Sequence, residues 1–192
     1  AYGEGVKKDF EEAVKWYTKA ALDGNEWAQN KLANCYYYGD GVEQDEAKAV
    51  EYFTKSAEAG NKNSMNRLGD CYNYGRGVEQ DYQQAINWYQ QAALAGHHIA
   101  KYNLGNCYYN GNGVEQDYQQ AINWYQQAAE QNIEGAMNKL GECYQYGYGV
   151  EQDYQQAINW YQKAAEKGNG WAQDMLGSFY EYGKGVDKDV NL

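Results

Sequence analysis

The stretch GVEQDYQQAINWYQ at 77–90 recurs letter for letter at 113–126 and 149–162. Looser copies begin at Gly5 and Gly41 and a cut-off one at Gly185, always at an interval of 36 residues. A fixed period of this length marks a repeat array, in which each unit is one supersecondary element packed on its neighbours.

Reading outward from that stretch, Asp81 and its equivalents Asp9, Asp45, Asp117, Asp153 and Asp189 stand where a helix begins. Asp is a good N-cap, and its charge suits the positive end of the helix dipole. Three residues on, Glu12, Gln84, Gln120 and Gln156 can complete a capping box, whereas Lys48 cannot. Apolar residues then follow at helical spacing, as in Ala13, Val14, Tyr17, Ala20 and Ala21. Each of these helices ends at a C-cap signal: Gly24, Gly60, Gly96, Asn132 and Gly168.

A second helix is expected over 26–38, 62–74, 98–110, 134–146 and 170–182. It carries a Leu-Gly-x-x-Tyr column: Leu68, Gly69, Tyr72 and their equivalents from Leu104, Leu140 and Leu176. The first copy reads Leu32, Ala33, Tyr36. A mid-helix glycine costs about 1 kcal/mol relative to alanine, so its repeated use points to a close helix approach. A Gly-x-Gly-Val turn follows at 39–42, 75–78, 111–114 and 147–150, with positive φ at the glycines and the valine turned onto the core. No segment shows the alternation of a strand, so the fold class is all-α. Residues 2–8 read as the tail of a repeat whose first helix is missing, and the chain reads as an excised piece.

Composition narrows the function classes. The chain has 192 residues, net charge −11, mean hydropathy −0.96, 22 Tyr against 3 Phe, and no proline. Tyrosine suits thin cores, where a ring packs while its hydroxyl reaches a polar partner. Strong acidity repels phosphate backbones, so nucleic acid and an anionic membrane are poor partners, and neither nucleic-acid binding nor membrane insertion is expected. No apolar run approaches a membrane span and no signal peptide is visible.

Little supports catalysis. Cys35, Cys71, Cys107 and Cys143 occupy one column 36 residues apart, too far for a disulfide between whole hairpins, and Phe179 fills the fifth copy. That column wants buried volume. His97 and His98 are adjacent, so they point about 100° apart on a helix and do not chelate as an i, i+4 pair would. The Gly-x-Gly turns lack the Lys-Ser/Thr or third glycine of a phosphate cradle. Ser56, Ser64 and Ser178 are the only serines, and none sits in a nucleophile motif. No catalytic residue, metal, cofactor or disulfide is expected, and the chain is not read as an enzyme.

Leu-Gly-x-x-Tyr in one helix and Ala-x-x-x-(Tyr/Phe) in the next, as in Ala85 to Tyr89 and Ala49 to Phe53, resemble the tetratricopeptide pattern. The unit of 36, the absent proline, the Gly-x-Gly-Val-x-x-Asp turn and Trp-Tyr-x-x-Ala-Ala (Trp88, Tyr89, Ala92, Ala93) instead resemble the Sel-one-like repeat (SLR) family over the whole chain. That resemblance implies a right-handed α/α superhelix, a solenoid of antiparallel helix pairs. It would form one domain over 1–192 of about five units, with turns starting near 3, 39, 75, 111, 147 and 183, truncated mid-repeat at both ends. The Leu-Gly helix becomes helix A on the concave side, and the Asp-capped helix becomes helix B outside. Cysteine-rich members staple each hairpin with a second cysteine, and its absence here weighs against that subgroup and its proposed β-lactam-hydrolase activity.

By the same resemblance, positions five and two before the Leu, and two and five after it, face the groove. They are Trp27, Asn30, Asn34 and Tyr37; Asn63, Asn66, Asp70 and Asn73; Ile99, Tyr102, Asn106 and Tyr109; Gly135, Asn138, Glu142 and Gln145; and Trp171, Asp174, Ser178 and Glu181. These vary while helix B is copied almost verbatim. The expected function is a non-catalytic interaction scaffold or adaptor that binds a protein or peptide along this face. Basic residues of the partner would face Asp70, Glu142, Asp174 and Glu181. The alternatives are drift on a solvated face, a module of a hydrolase-like or cell-wall-associated SLR protein, and a consensus-engineered scaffold with no native function. A monomer is expected, with end-to-end stacking of the truncated array as the alternative. Localisation stays open between bacterial periplasmic or secreted and cytosolic, since unpaired thiols fit a reducing compartment yet survive elsewhere when buried.

Overall fold

A computed structural model describes residues 8–185. The expected turn near residue 3 and the stub Asp187–Leu192, with the Asp189 cap, lie outside them. Among the described residues there are ten α-helices and no strand. The chain divides between His97 and His98 into two compact units. The first holds α1 (Phe10–Leu22), α2 (Glu26–Tyr38), α3 (Glu46–Glu58), α4 (Lys62–Tyr74) and α5 (Tyr82–Leu94). The second holds α6 (His98–Asn110), α7 (Tyr118–Ala129), α8 (Glu134–Tyr146), α9 (Tyr154–Ala165) and α10 (Gly170–Tyr182). The even-numbered helices are the expected A helices, at the expected bounds, and the odd-numbered ones are the B helices.

The copied stretch proves to be a corner with its polar groups satisfied. Asp45, Asp81, Asp117 and Asp153 each cap the following helix through the side chain, while each backbone N–H donates to a tyrosine carbonyl in the last turn of the preceding A helix. The glutamine beside them closes the remaining gap. Nε2 of Gln44, Gln80, Gln116 and Gln152 donates to the carbonyls of Tyr37, Asn73, Tyr109 and Gln145, at 2.7–3.0 Å. Carbonyls of the last helical turn have no partner within the helix, and this side chain supplies one. The capping box, however, does not close at Glu12, whose carboxylate instead binds Lys15 Nζ and Trp16 Nε1. Lys48 forms an ion pair with its own cap, Asp45, at 3.3 Å.

The turn glycines serve two ends. Gly39, Gly75, Gly147 and Gly183 take left-handed φ of 64–76° and end the A helices. The second glycine also lies against the start of the B helix one repeat earlier: a Cβ at Gly41 would meet the Phe10 backbone, and one at Gly77 the Glu46 backbone. B helices end differently. Gly24 N–H donates to Ala21 O and Asn25 N–H to Ala20 O, the paired bonds of a Schellman motif, and Asn132 at φ 63° makes the same ending after α7.

Packing is closest where the Gly-x-Gly-Val turn joins A to B: α2 with α3, α4 with α5, α6 with α7 and α8 with α9. Leu32, Leu68, Leu104 and Leu140 are wholly buried in these pairs, each worth about 1.5–3 kcal/mol by burial. Val42, Val78 and Val150 pack onto the same cores.

Candidate functional site

The Leu-Gly column is where the two helices of a pair meet, and the contact is a ring on a backbone. A Cβ at Gly69, Gly105 or Gly141 would collide with the ring of Tyr89, Tyr125 or Tyr161 from the following B helix. Each ring crosses the A helix and delivers its hydroxyl to a predicted groove residue. Tyr89 donates to Asp70 Oδ1 at 2.9 Å, Tyr125 to Asn106 Oδ1 at 2.8 Å and Tyr161 to Gln145 Oε1 at 2.7 Å. Burial raises the pKa of Tyr125 and Tyr161, so these hydroxyls remain donors.

In the first unit the predicted positions split into inner and outer sets. Asn30 is buried and donates to Ser64 Oγ at 2.7 Å; Ser64 donates to Ser56, and Ser56 to the Glu26 carbonyl. Asn34 turns back to the Asn30 carbonyl at 2.7 Å. Asn66 is buried against Asp70, and Tyr37 is buried with its hydroxyl held by Arg76. Asn63 is exposed and Asn73 partly so. Trp27 is half exposed and stands edge-on to Tyr17, with Lys31 over its ring.

The second unit has the same grammar with other letters. Trp171 stands edge-on to Tyr161, as Trp27 does to Tyr17. At the equivalent Gly135 there is no side chain, and Tyr102 from the preceding A helix fills the space. Its ring would lie 3.1 Å from a Cβ at Gly135 and packs on Tyr125. Tyr109 donates to Glu142 Oε1 at 2.8 Å, and Lys139 holds Oε2 at 2.7 Å. Asn138 donates to Asn169, the cap of α10, and Gln145 is buried. Ile99, Asp174 and Glu181 are exposed, and Ser178 partly so.

Asp70 and Glu142 are therefore poor counter-charges for a basic partner, because Arg67, Tyr89, Lys139 and Tyr109 already answer them. Asp174 and Glu181 remain open to one. One surface column lies beyond the predicted positions. Tyr38, Tyr74, Tyr146 and Tyr182, the last residues of four A helices, are 53–65% exposed. The recurring Tyr-Gly at 38–39, 74–75, 146–147 and 182–183 carried that signal, but it reads first as a helix stop.

No cluster of three or more His, Cys, Asp or Glu among the described residues is placed to hold a metal. The four cysteines are free and buried, and burial pushes Cys71 and Cys143 up to about 12 and Cys107 to about 11, far from a reactive thiolate. No helix among the described residues is long and apolar enough to cross a membrane.

The Sel1 repeat family model matches residues 1–25, 28–61, 62–97, 98–133, 135–169 and 172–192. A Sel1 repeat protein from Oxalobacter formigenes is 40% identical over 98% of this chain and 77% of its own, with a TM-score of 0.90. A protective antigen of uropathogenic Escherichia coli displaying an SLR fold is 39% identical over 97% of this chain, with a TM-score of 0.89. This chain spans only 40% of that antigen's length. Cysteine rich protein B of Helicobacter pylori is 26% identical over 72% of this chain and 99% of its own, with a TM-score of 0.55. No curated protein matches. Sel1 repeats generally mediate protein–protein interaction. With the family model met in every repeat, and the same helix pairs in each unit, the chain belongs to the Sel1 repeat family.

Proposed function

We propose that this chain is a non-catalytic interaction scaffold that holds a peptide or partner segment against its A helices. The observation that carries this reading is where large apolar side chains are left in solvent. Of twelve such residues among those described, eight lie on A helices, including Trp27, Tyr74, Ile99, Tyr146 and Trp171. The other four lie on B helices, Phe10, Trp16 and Leu22 on the leading α1 and Leu94 on α5, and α3, α7 and α9 carry none. Exposed aromatic rings concentrated on one helix set mark an interaction surface, since tyrosine and tryptophan add contact area at low entropy cost. The outer contacts would come from the exposed members of the predicted set, Trp27, Asn63, Ile99, Trp171, Asp174 and Glu181, together with the tyrosine column. Asn30, Asn66 and Gln145 would shape the floor.

The test is selection of random displayed peptides on the folded chain, followed by amide hydrogen exchange of the complex. Protection concentrated in the A helices is expected. Protection on the B helices, or no peptide recovered above background, would overturn the assignment.

A further inference from the structure

The chain has two arginines, Arg67 and Arg76, and they stand on neighbouring tyrosines, Arg67 on Tyr38 and Arg76 on Tyr37 and Tyr74. Arg67, on α4, donates from Nη2 to the Tyr38 hydroxyl at 2.9 Å, with its guanidinium 5.8 Å from that ring's centroid. Arg76, in the turn after α4, donates from Nη1 to the Tyr37 hydroxyl at 2.6 Å and lies 5.9 and 5.8 Å from the rings of Tyr37 and Tyr74. The Tyr37 and Tyr38 rings are 4.9 Å apart, so two guanidinium groups flank one aromatic pair. A guanidinium has five N–H donors in a fixed fork that matches a carboxylate, and the Arg76 side chain is exposed. Two carboxylates oppose the pair: Asp70, 3.7 Å from Arg67 Nη1 and already accepting from Tyr89, and Glu46, which acts on Arg76.

The second unit supplies an internal control. Seventy-two residues on, Tyr109, Lys139 and Tyr148 stand where Tyr37, Arg67 and Arg76 stand. Lys139 is held by Glu142 at 2.7 Å, and Tyr148 packs on Tyr109 and Tyr118. Lys139 is thus held more closely than Arg67, which stands 3.7 Å from Asp70, and a ring replaces Arg76, so the second cluster is the poorer in positive charge.

We propose that the Arg67–Arg76 patch, framed by Tyr37, Tyr38 and Tyr74, is a subsite for paired carboxylates on an acidic peptide segment, with an adjacent apolar side chain laid on the exposed tyrosine faces. This deepens the A-helix reading and rests on it. A polyanion such as single-stranded DNA does not fit, because the net charge of −11 repels an extended phosphate chain while a short peptide meets only the local arginines. Binding is therefore short-range and weakens with salt.

The test is fluorescence anisotropy of the whole chain with a labelled short peptide centred on Glu-Glu-Phe, its Gln-Gln-Phe and Lys-Lys-Phe counterparts, and a short oligothymidine as competitor. The Glu-Glu-Phe peptide is expected to bind, and Arg67→Gln/Arg76→Gln to weaken it about tenfold or more. Arg76→Glu is expected to abolish binding, with helical circular dichroism recorded alongside to show that the fold survives loss of the Tyr37 bond, and Lys139→Gln to leave binding unchanged. Equal binding of the Gln-Gln-Phe or Lys-Lys-Phe peptide, retention by the arginine variants, or competition by oligothymidine would each overturn the subsite. If Glu-Glu-Phe fails to bind while selected peptides still protect the A helices, the subsite fails and the scaffold reading stands. If neither occurs, both fail.

Discussion

The α2–α3 pair and the three pairs that follow are built on one plan with two different fillings. In α4–α5, α6–α7 and α8–α9, an A-helix glycine lets a B-helix tyrosine lie on the backbone, and the hydroxyl is tied to Asp70, Asn106 or Gln145. In α2–α3 the glycine is Ala33 and the ring is Phe53, both buried in one core. Phe53 has no hydroxyl to tether, and Asn34, at the position of Asp70 and Asn106, bonds within its own helix instead. A ring pinned at its far end cannot slide away from a methyl, whereas an unpinned ring can. The alanine is tolerated in the first pair because the tether went with it. Glycine, tyrosine and acceptor thus behave as one three-residue unit.

The largest expected effect breaks that unit at its most crowded point. Gly105→Ala places a Cβ against the Tyr125 ring. Overpacking of this kind costs about 1–3 kcal/mol, of which better helix propensity returns about 1. Urea unfolding should therefore show net destabilisation, and Gly105→Ala/Tyr125→Phe should recover part of it by releasing the tether. A stabilised Gly105→Ala would mean that the glycine serves backbone entropy and not the ring. The converse change, Ala33→Gly, should destabilise by about 1 kcal/mol, from helix propensity.

A second contrast sets a polar junction against an apolar one. The helices α3 and α4 meet through Ser56 and Ser64, with Asn30 donating into the chain and the Glu26 carbonyl closing it. At the equivalent junctions α7–α8 and α9–α10 the residues are Ala128 with Ala136 and Ala164 with Ala172, all buried. Ser56→Ala leaves the Ser64 hydroxyl without its acceptor, at about 1 kcal/mol or more. Converting Ser56, Ser64 and Asn30 to Ala, Ala and Leu should cost less than the single change, since replacing all partners of a buried network with apolar groups is close to neutral. A triple variant weaker than the sum of its singles would show that the serine chain does more than fill the junction.

These contrasts explain what was legible in the sequence. Helix bounds, aspartate caps, glycine endings and turn geometry depend on residues within one turn of each other, and the 36-residue column displays them directly. The fates of Asn30, Tyr37 and Asn138 depend on Ser64, Arg76 and Asn169, 31 to 39 residues away on the next helix pair. A column read in isolation gives the direction of a side chain but not whether a neighbouring repeat has already claimed it. The Gly135–Tyr102 exchange shows the same thing, a cavity in one repeat filled from another. Asn138 bonds the cap of α10, and Trp171, though half exposed, also stands edge-on to the buried Tyr161.

The smallest expected effect separates two versions of the tether itself. Tyr89 is tied to a carboxylate, Asp70, where Tyr125 is tied to an amide, Asn106. Burial raises the Asp70 pKa against the opposing pull of Tyr89 and Arg67. A carboxyl whose folded pKa exceeds its unfolded value holds its proton more tightly when folded. Its contribution to stability is therefore largest in acid and is lost as pH rises from the unfolded value, about 3.9, through the folded one. Asp70→Asn keeps an acceptor for Tyr89 and has no such loss. Urea midpoints measured for both chains from pH 3 to pH 7 should diverge, with the Asn variant gaining on the parent until Asp70 is fully ionised and running parallel above that. Carboxylates elsewhere cancel in the difference, so the divergence reports this site. If the two curves instead converge as pH rises, Arg67 and Tyr89 outweigh burial, and the acidic tether is the stronger of the two.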